Sequence, residues 1–409
     1  MMPSQPPRST SHMRLLHLVF ALGVSTSAAC GARDTPQGIA AEVPQTIHAR
    51  SAYDVLPVIA LVPVRPACAV DALDCSPGGE VKAVADSEGR LLVWSLDKAL
   101  HEIAGEGSPA NVVGRVGGGP GEYQKIWAAG FSRSGELLAF DPLQQRLLRY
   151  DRSGSPMATS QVELPPGFID ASFVAGELRA LAVDHAGGSG GPDSASVSVF
   201  ALEPDGKKPR RLFTLPVRQL ALAIGEMTAV PGLFAARPQW QVLADGQVLY
   251  SPGTALLVHR YDETGAPVLH AGFDAQPREV TEDEAERSLE AVLRQTRNSQ
   301  MRDAMRASQA GRVAERQPAI TALRQLENGQ IWMREAPRAA GDSVRWLVLD
   351  SAGAPVGSVM LDTESRVLTA SQGLILVSQP GAVDPSESLV WMRVAPVVGS
   401  TTGAGGGGQ

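Results

Sequence analysis

Between about residue 80 and residue 395, apolar and polar positions alternate in short runs separated by glycine turns, and the runs recur in one order. Each unit is an alternating strand, a Gly turn, a second strand, a variable loop, and a third strand ending in Asp or Glu and then Gly. The first copy holds Val81–Asp86, the turn Ser87-Glu88-Gly89 and Leu91–Trp94. The second holds Ala129–Phe131, Arg133-Ser134-Gly135, Leu137–Asp141 and Arg146–Asp151, closing at Ser153-Gly154. The third has Glu177–Val183, Val197–Phe200 and Pro204-Asp205-Gly206; the fourth has Trp240–Leu243, Ala244-Asp245-Gly246, Val248–Tyr250 and Leu257–Asp262, closing at Thr264-Gly265. The fifth has Leu323–Leu326, Glu327-Asn328-Gly329, Ile331–Met333 and Arg345–Asp350, and the last has Val367–Ala370, Gln372-Gly373, Leu374–Val377 and Leu389–Val394.

Asn-Gly and Asp-Gly supply the positive φ of a tight hairpin, and alternating strands bury one set of side chains between stacked sheets. Six such units of about 46 residues each predict an all-β chain folded as a six-bladed β-propeller, where radial repetition protects the sheet edges. A stacked sandwich has no reason to repeat hairpin, loop and strand six times. Pro57–Val62 is expected to close the ring as a strand added to the last blade. One stretch keeps a helical spacing instead. Thr281-Glu282-Asp283-Glu284 is a capping box that opens a run with Ala285, Leu289, Val292, Leu293 and Thr296 on one face. This helical insertion, about 278–315, falls between blades 4 and 5 and is expected on one rim as a packed cap, with a lid or docking element as the alternative.

The N-terminus has its own pattern: Arg14, the apolar run Leu15–Leu22, then small residues up to Cys30. That order is a secretory signal peptide, and its apolar core is too short for a span, which needs about 20 residues. Residues 1–29 are assigned to the signal, 30–50 to a flexible tether, 51–396 to the propeller and 397–409 to a disordered Gly-rich tail. Ser27-Ala28-Ala29-Cys30 resembles the lipobox of bacterial lipoproteins, with Ser27 where Leu is usual, and the resemblance implies acylation at Cys30. Without it the chain is periplasmic. Of the remaining cysteines, Cys68 and Cys75 are expected as a disulfide in an oxidising compartment, stabilising by about 2–3 kcal/mol. A metal pair there would lack two further soft ligands.

The formal net charge is −7, and losing the signal with Arg8, Arg14 and no acid makes it −9. This disfavours nucleic acid as a partner. With 44% hydrophobic residues the chain can bury a large core, and its 42 glycines and 30 prolines fit many turns.

The segment Gly114-Arg115-Val116-Gly117-Gly118-Gly119-Pro120-Gly121-Glu122-Tyr123, followed by the second copy, resembles bacterial TolB-like or NHL-like six-bladed β-propeller lipoproteins. In that family a Gly-Pro-Gly-Glu-aromatic run precedes a blade patterned like Leu137–Gly154. The first copy departs, with Ser95 where the family has Asp. The resemblance implies a fold and a location in the cell envelope, and it implies no activity.

Candidate chemistry is sparse. The glycines at 117–121 lack the Lys-Ser/Thr of a phosphate loop. They read as an interblade turn tied down by Glu122, and Arg115, Gly119, Pro120, Gly121 and Glu122 form a candidate binding or structural loop, with Arg115 and Glu122 expected to face the central opening. Gly187-Gly188-Ser189-Gly190-Gly191 after Asp184-His185 matches a nucleophile elbow on paper, without the strand-to-helix turn an elbow needs. Asn111, Asn298 and Asn328 read as turn or helix residues, and His48, His101, His185, His259 and His270 show no ligand spacing. No catalytic residue, metal site or cofactor is assigned. The expected role is a monomeric, non-catalytic envelope propeller that binds or scaffolds a protein, peptide or glycan. The alternative is a metal-dependent hydrolase or lyase at the axial opening.

Overall fold

Residues 45–67, 81–95, 99–105, 108–184, 196–215, 233–295, 299–309, 313–337, 343–380 and 387–395 are described by a computed structural model. Cys30, Cys68, Cys75, His185, Asn298, the Gly187–Gly191 run, the signal and the C-terminal tail lie outside the described residues.

β1 (Gln45–Ala49), α1 (Arg50–Asp54) and β2 (Leu61–Pro66) precede the repeats. Blade 1 is β3 (Val81–Ala85), β4 (Leu91–Ser95), β5 (Leu100–Ile103) and β6 (Ala110–Val113), followed by the small parallel pair β7 (Arg115–Val116) and β8 (Glu122–Tyr123). Blade 2 is β9 (Ala128–Phe131), β10 (Leu137–Asp141), β11 (Arg146–Tyr150) and β12 (Pro156–Gln161). Blade 3 is β13 (Phe168–Val174), β14 (Glu177–Asp184), β15 (Ser196–Leu202) and β16 (Arg210–Leu215). Blade 4 is β17 (Gln239–Val242), β18 (Val248–Ser251), β19 (Leu257–Tyr261) and β20 (Pro267–Asp274). The helices α2 (Glu282–Gln295) and α3 (Ser299–Gln309) follow. Blade 5 is β21 (Ala322–Gln325), β22 (Ile331–Arg334), β23 (Ser343–Leu349) and β24 (Pro355–Asp362); blade 6 is β25 (Arg366–Ser371), β26 (Leu374–Pro380) and β27 (Glu387–Val394), completed by β2.

The first strand of each blade is innermost, and each inner strand touches the next around the ring, with β25 returning to β3. The chain is therefore a six-bladed β-propeller. Its apolar side chains form one cluster per neighbouring pair of blades, six in all, including the pair across the closure, where Leu376 and Trp391 of blade 6 meet Leu91 and Val93 of blade 1. Strand alternation sends Ile331 and Met333 toward blade 4 and Trp332 toward blade 6, so one strand serves two clusters.

The turns refine the expected hairpins. In the first hairpin of blade 5, Gly329 has φ +81°, while Asn328 keeps a negative φ and its Oδ1 accepts the Gln330 N–H at 3.1 Å. Gly329 N–H also bonds Leu326 O at 2.9 Å. This is a type I turn with a left-handed glycine, which needs only one positive φ, rather than a two-residue type I′ turn. Ala175-Gly176 and Gln372-Gly373, with both φ positive, are the two-residue form. On the outer hairpins Asp151, Asp262 and Asp350 each accept backbone N–H groups two and four residues on, the same turn in three blades.

The N-terminal segment runs along the outer edges of three blades. β1 pairs in parallel with β20 of blade 4, Pro57 O and Ile59 N–H bond Ser358 of blade 5 at 2.8 and 2.7 Å, and β2 pairs antiparallel with β27 of blade 6. The closing strand is thus Leu61–Pro66, displaced from the Pro57–Val62 reading because the preceding residues cover blade 5 first. Residues 45–50, compositionally part of the tether, form β1 and the start of α1, since they cover an outer strand edge that is otherwise open. The insertion contains two helices rather than one, on a neck where Val280 N–H bonds Glu315 O and Gln317 N–H bonds Arg278 O. The capping box is formed: Thr281 N–H donates to Glu284 Oε2 at 3.1 Å and Glu284 N–H to Thr281 Oγ1 at 3.3 Å.

Gly272 of β20 adopts φ +145°, and a Cβ there would stand 2.0 Å from Leu256 O and 3.0 Å from Leu257 Cα. Backbone cannot yield as a flexible side chain does. Gly272→Ala is expected to destabilise by about 3 kcal/mol or more, read as a lowered urea midpoint; an unchanged midpoint would show that blade 4 relaxes around it.

Candidate functional site on the linker face

The linkers between blades, the loops between second and third strands, and the insertion share one end of the propeller, called here the linker face. At the axis on that end, blades 1 to 3 are joined by side chains. Lys82 Nζ donates to Trp127 O at 3.2 Å and lies 5.0 Å from the Trp127 ring centre, and Trp127 Nε1 donates to Asp170 Oδ1 at 2.7 Å. Phe168 meets the same ring edge-on. Between blades 4 and 5, Gln241 Oε1 accepts Gln325 N–H at 2.6 Å and Gln241 Nε2 donates to Gln325 O at 3.2 Å. These groups hold inner strands to one another, so the wall of the opening is internally bonded. Among the described residues no three His, Cys, Asp or Glu side chains lie together.

The Gly-Pro-Gly-Glu segment lies between β6 and β9 and packs on the outer half of blade 2. Gly119 N–H donates to Glu122 Oε2 at 2.6 Å, and Arg115 is bonded to Oε1 of the same carboxylate. Gly119 and Arg115 hold that carboxyl below the usual carboxylate range. Gln144 Nε2 donates to Gly117 O and Arg146 to Gly118 O, while Gly121 N–H donates to Thr159 of β12 and Gly121 O accepts from Tyr150. Gly121, at φ +71°, leaves 2.5 Å for a Cβ before Pro156, so this position requires glycine. Pro120 is exposed. Arg115 and Glu122 are thus placed together, against the two outer strands of blade 2 and not at the central opening, because Glu122 is the anchor around which the glycine backbone folds. Asp141, fully buried, accepts the N–H groups of Gln124, Lys125, Leu143 and Gln144, tying the same linker to the next loop. Asn111 lies in strand β6, a correction to its turn or helix reading, and Asn328 is in a turn.

Two concavities lie off the axis. A cleft of about 470 Å³ is lined by Arg50, Tyr53 and Asp54 of α1, Gln276–Arg278 and Arg316–Ala319 at the neck of the insertion, and Glu335–Pro337 of blade 5. A second groove of about 460 Å³ shares Asp54, Glu335 and Ala336 and continues past Arg345 and Ser358 to Met360 on the outer strand of blade 5. Tyr53 is held from three sides: its hydroxyl donates to Glu335 Oε1 at 2.5 Å, the Arg345 guanidinium lies 4.6 Å from its ring, and Phe273 meets it edge-on. Arg278 grips Glu284 through both guanidinium nitrogens at 2.6 and 2.7 Å, which lowers that carboxyl to about 2. Arg50 pairs loosely with Asp54 and Arg316 with Glu279. The trench is therefore preformed, aromatic in the middle and charged with both signs along its walls, with a volume in the range of ligand sites.

Sequence reading missed this trench because its residues come from four distant segments. It also treated the histidines as scattered, yet His259 and His270 are cross-strand partners with ring centres 4.4 Å apart, in a row with Trp240 and Tyr250 across blade 4. The signal was available: β19 and β20 are joined by a five-residue Asp-Glu-Thr-Gly-Ala turn, which places 259 opposite 270. Burial, and secondarily the neighbouring His270, lowers His259 to about 4.

No protein-family profile matches the chain, and no curated protein does. Solved structures similar to it include an exported-protein candidate from Bacteroides fragilis (11% identity, TM-score 0.47, covering 86% of this chain and 99% of that one). A DUF4221 family member from Bacteroides vulgatus follows (8% identity, TM-score 0.46, 83% and 100% covered), as does a streptogramin B lyase (8%, 0.41, 82% and 98%). The propeller assignment rests on the strand order of this chain itself.

Unfolded His259 takes up a proton near the ordinary histidine value of about 6.5, whereas the folded chain resists until pH falls to about 4. Its contribution is complete above the unfolded value and is lost as pH drops through that window, about 3 kcal/mol. His259→Phe is expected to flatten this part of the stability profile between pH 6.5 and 4, measured as urea midpoints; identical pH slopes in both chains would remove His259 as the cause.

Proposed function

We infer that this chain is an exported β-propeller that captures a protein, peptide or glycan without chemistry on it, in the trench beside Tyr53, while tethered to the cell envelope through Cys30. The observation that supports the capture site is the contrast between two places on one face. At the axis, Lys82, Trp127 and Asp170 bond to one another. In the trench, a fixed Tyr53 stands among charged groups that are half-exposed. An aromatic surface with hydrogen-bonding groups on both sides suits an extended polar ligand. Export and anchoring rest on the signal and lipobox; among the described residues no helix is long and apolar enough to cross a membrane.

A photo-crosslinking side chain placed at Arg50 or Met360, compared with one at Lys82 on the axis and one at Arg152 on the opposite face, tests the capture site in living cells. Adducts from Arg50 and Met360 alone are expected, and adducts confined to Lys82 would move the function to the axis. Cys30→Ala is expected to shift the chain from the membrane fraction to the soluble periplasmic fraction; an unchanged distribution would end the anchoring part of the reading.

A further inference from the structure

Blade 5 carries a buried charge that has no partner of opposite sign among the described residues. Arg334, the last residue of β22, is only 7% exposed and faces blade 6 above Trp332. In blades 1 and 2 the corresponding place at the end of the second strand holds the buried aromatic residues Trp94 and Phe140. The Arg334 guanidinium donates to Thr321 Oγ1 at 2.9 Å and to Thr363 O at 2.6 Å, both neutral, and its Nε has no acceptor. No described carboxylate pairs with it. Burial, and secondarily repulsion from the cation Arg366, lowers Arg334 to about 10.

The buried surroundings add donors. Trp346 lies directly across from Arg334 on β23, and Trp332 stands edge-on to Trp346 with ring centres 6.4 Å apart. Both indole N–H groups are buried and lack an acceptor, and so is the hydroxyl of Ser365 in the linker whose Thr363 carbonyl Arg334 touches. Arg334 Nε, the two indole N–H groups and the Ser365 hydroxyl are thus four buried groups at the interface of blades 5 and 6 whose hydrogen bonds are unmade. A buried donor left unmet destabilises the fold, and an uncompensated buried cation does so more strongly. Tyr123 shows the usual solution in this fold: it is fully buried, donates to Val113 O and accepts from Leu100 N–H.

We propose that the interface between blades 5 and 6 binds a small monoanion, a halide or the carboxylate of a small acid, on Arg334 with Trp346 Nε1 and Ser365 Oγ as neutral donors. The charge sign follows from Arg334 and Arg366, the single negative charge from the one buried cation, and the small size from the surrounding Val344, Val348, Val359 and Val377. The site is separate from the trench and does not depend on its function. Bound there, the anion would join blade 5 to blade 6 as the N-terminal segment does along their outer edges.

The test is thermal unfolding of the full mature chain in a sulfate background, with chloride titrated in one arm and acetate in the other at constant ionic strength. Iodide quenching of tryptophan fluorescence reports occupancy. In the wild type a saturable rise in Tm is expected below about 0.2 M anion, and the arm in which it occurs distinguishes halide from carboxylate. Arg334→Met is expected to abolish the response, and Trp346→Phe to weaken apparent affinity roughly fivefold, the worth of one neutral hydrogen bond. No saturable response in either arm, or an unchanged one in Arg334→Met, would overturn the proposal in favour of water as the acceptor. Should Arg334→Met not fold, the wild-type titration and Trp346→Phe decide: a response weakened in the variant supports the site, and one left untouched overturns it.

Discussion

A blade of this protein is apolar on both faces, and that constraint governs the rest. Trp332 points one way from β22 and Met333 the other, each fully buried against a different neighbour. A single four-stranded sheet of this kind cannot be stable in water, because covering one face leaves the other exposed. Only a closed ring buries every face, so closure is a condition of folding. The blade 6 to blade 1 cluster and the β2–β27 pairing meet that condition from two directions, side chain and backbone.

The N-terminal belt does more than close the ring. Because it crosses the outer strands of blades 4, 5 and 6 before pairing with β27, it leaves α1 standing at the mouth of the cleft beside the insertion. Tyr53 is positioned by Glu335 and Arg345 of blade 5 and Phe273 of blade 4, so the closing segment and the two blades it covers share one concavity. Closure of the ring and the shape of this concavity are coupled through the same residues. The axial wall follows another logic. Its inner strands approach closely, as at Gly130, where a Cβ would stand 2.9 Å from Phe173, and their polar side chains bond across the gaps. What a relative binds at its axis therefore says little about this chain, since function is set by particular side chains and not by the fold.

Local physics made the repeat legible in sequence. Asp-x-x-Gly turns at Asp151, Asp262 and Asp350 and the glycines at 89, 135, 246 and 329 are demands of backbone geometry, so they recur wherever the chain must reverse. The capping box at Thr281 and Glu284 is equally local, three residues reaching across one turn. From such signals the sequence by itself determined the hairpin strands, the blade count and the place of the insertion, while the outermost strands of blades 1 to 5, which no such turn signal marks, emerge only in the structure. The tertiary structure alone decided which distant groups meet: Tyr53 with Glu335, Lys82 with Trp127 and Asp170, Arg334 with Thr321 and the Thr363 carbonyl. The reason is that a side chain's neighbours across a blade interface are chosen by the rotation of one sheet on another. No spacing within a strand encodes that rotation.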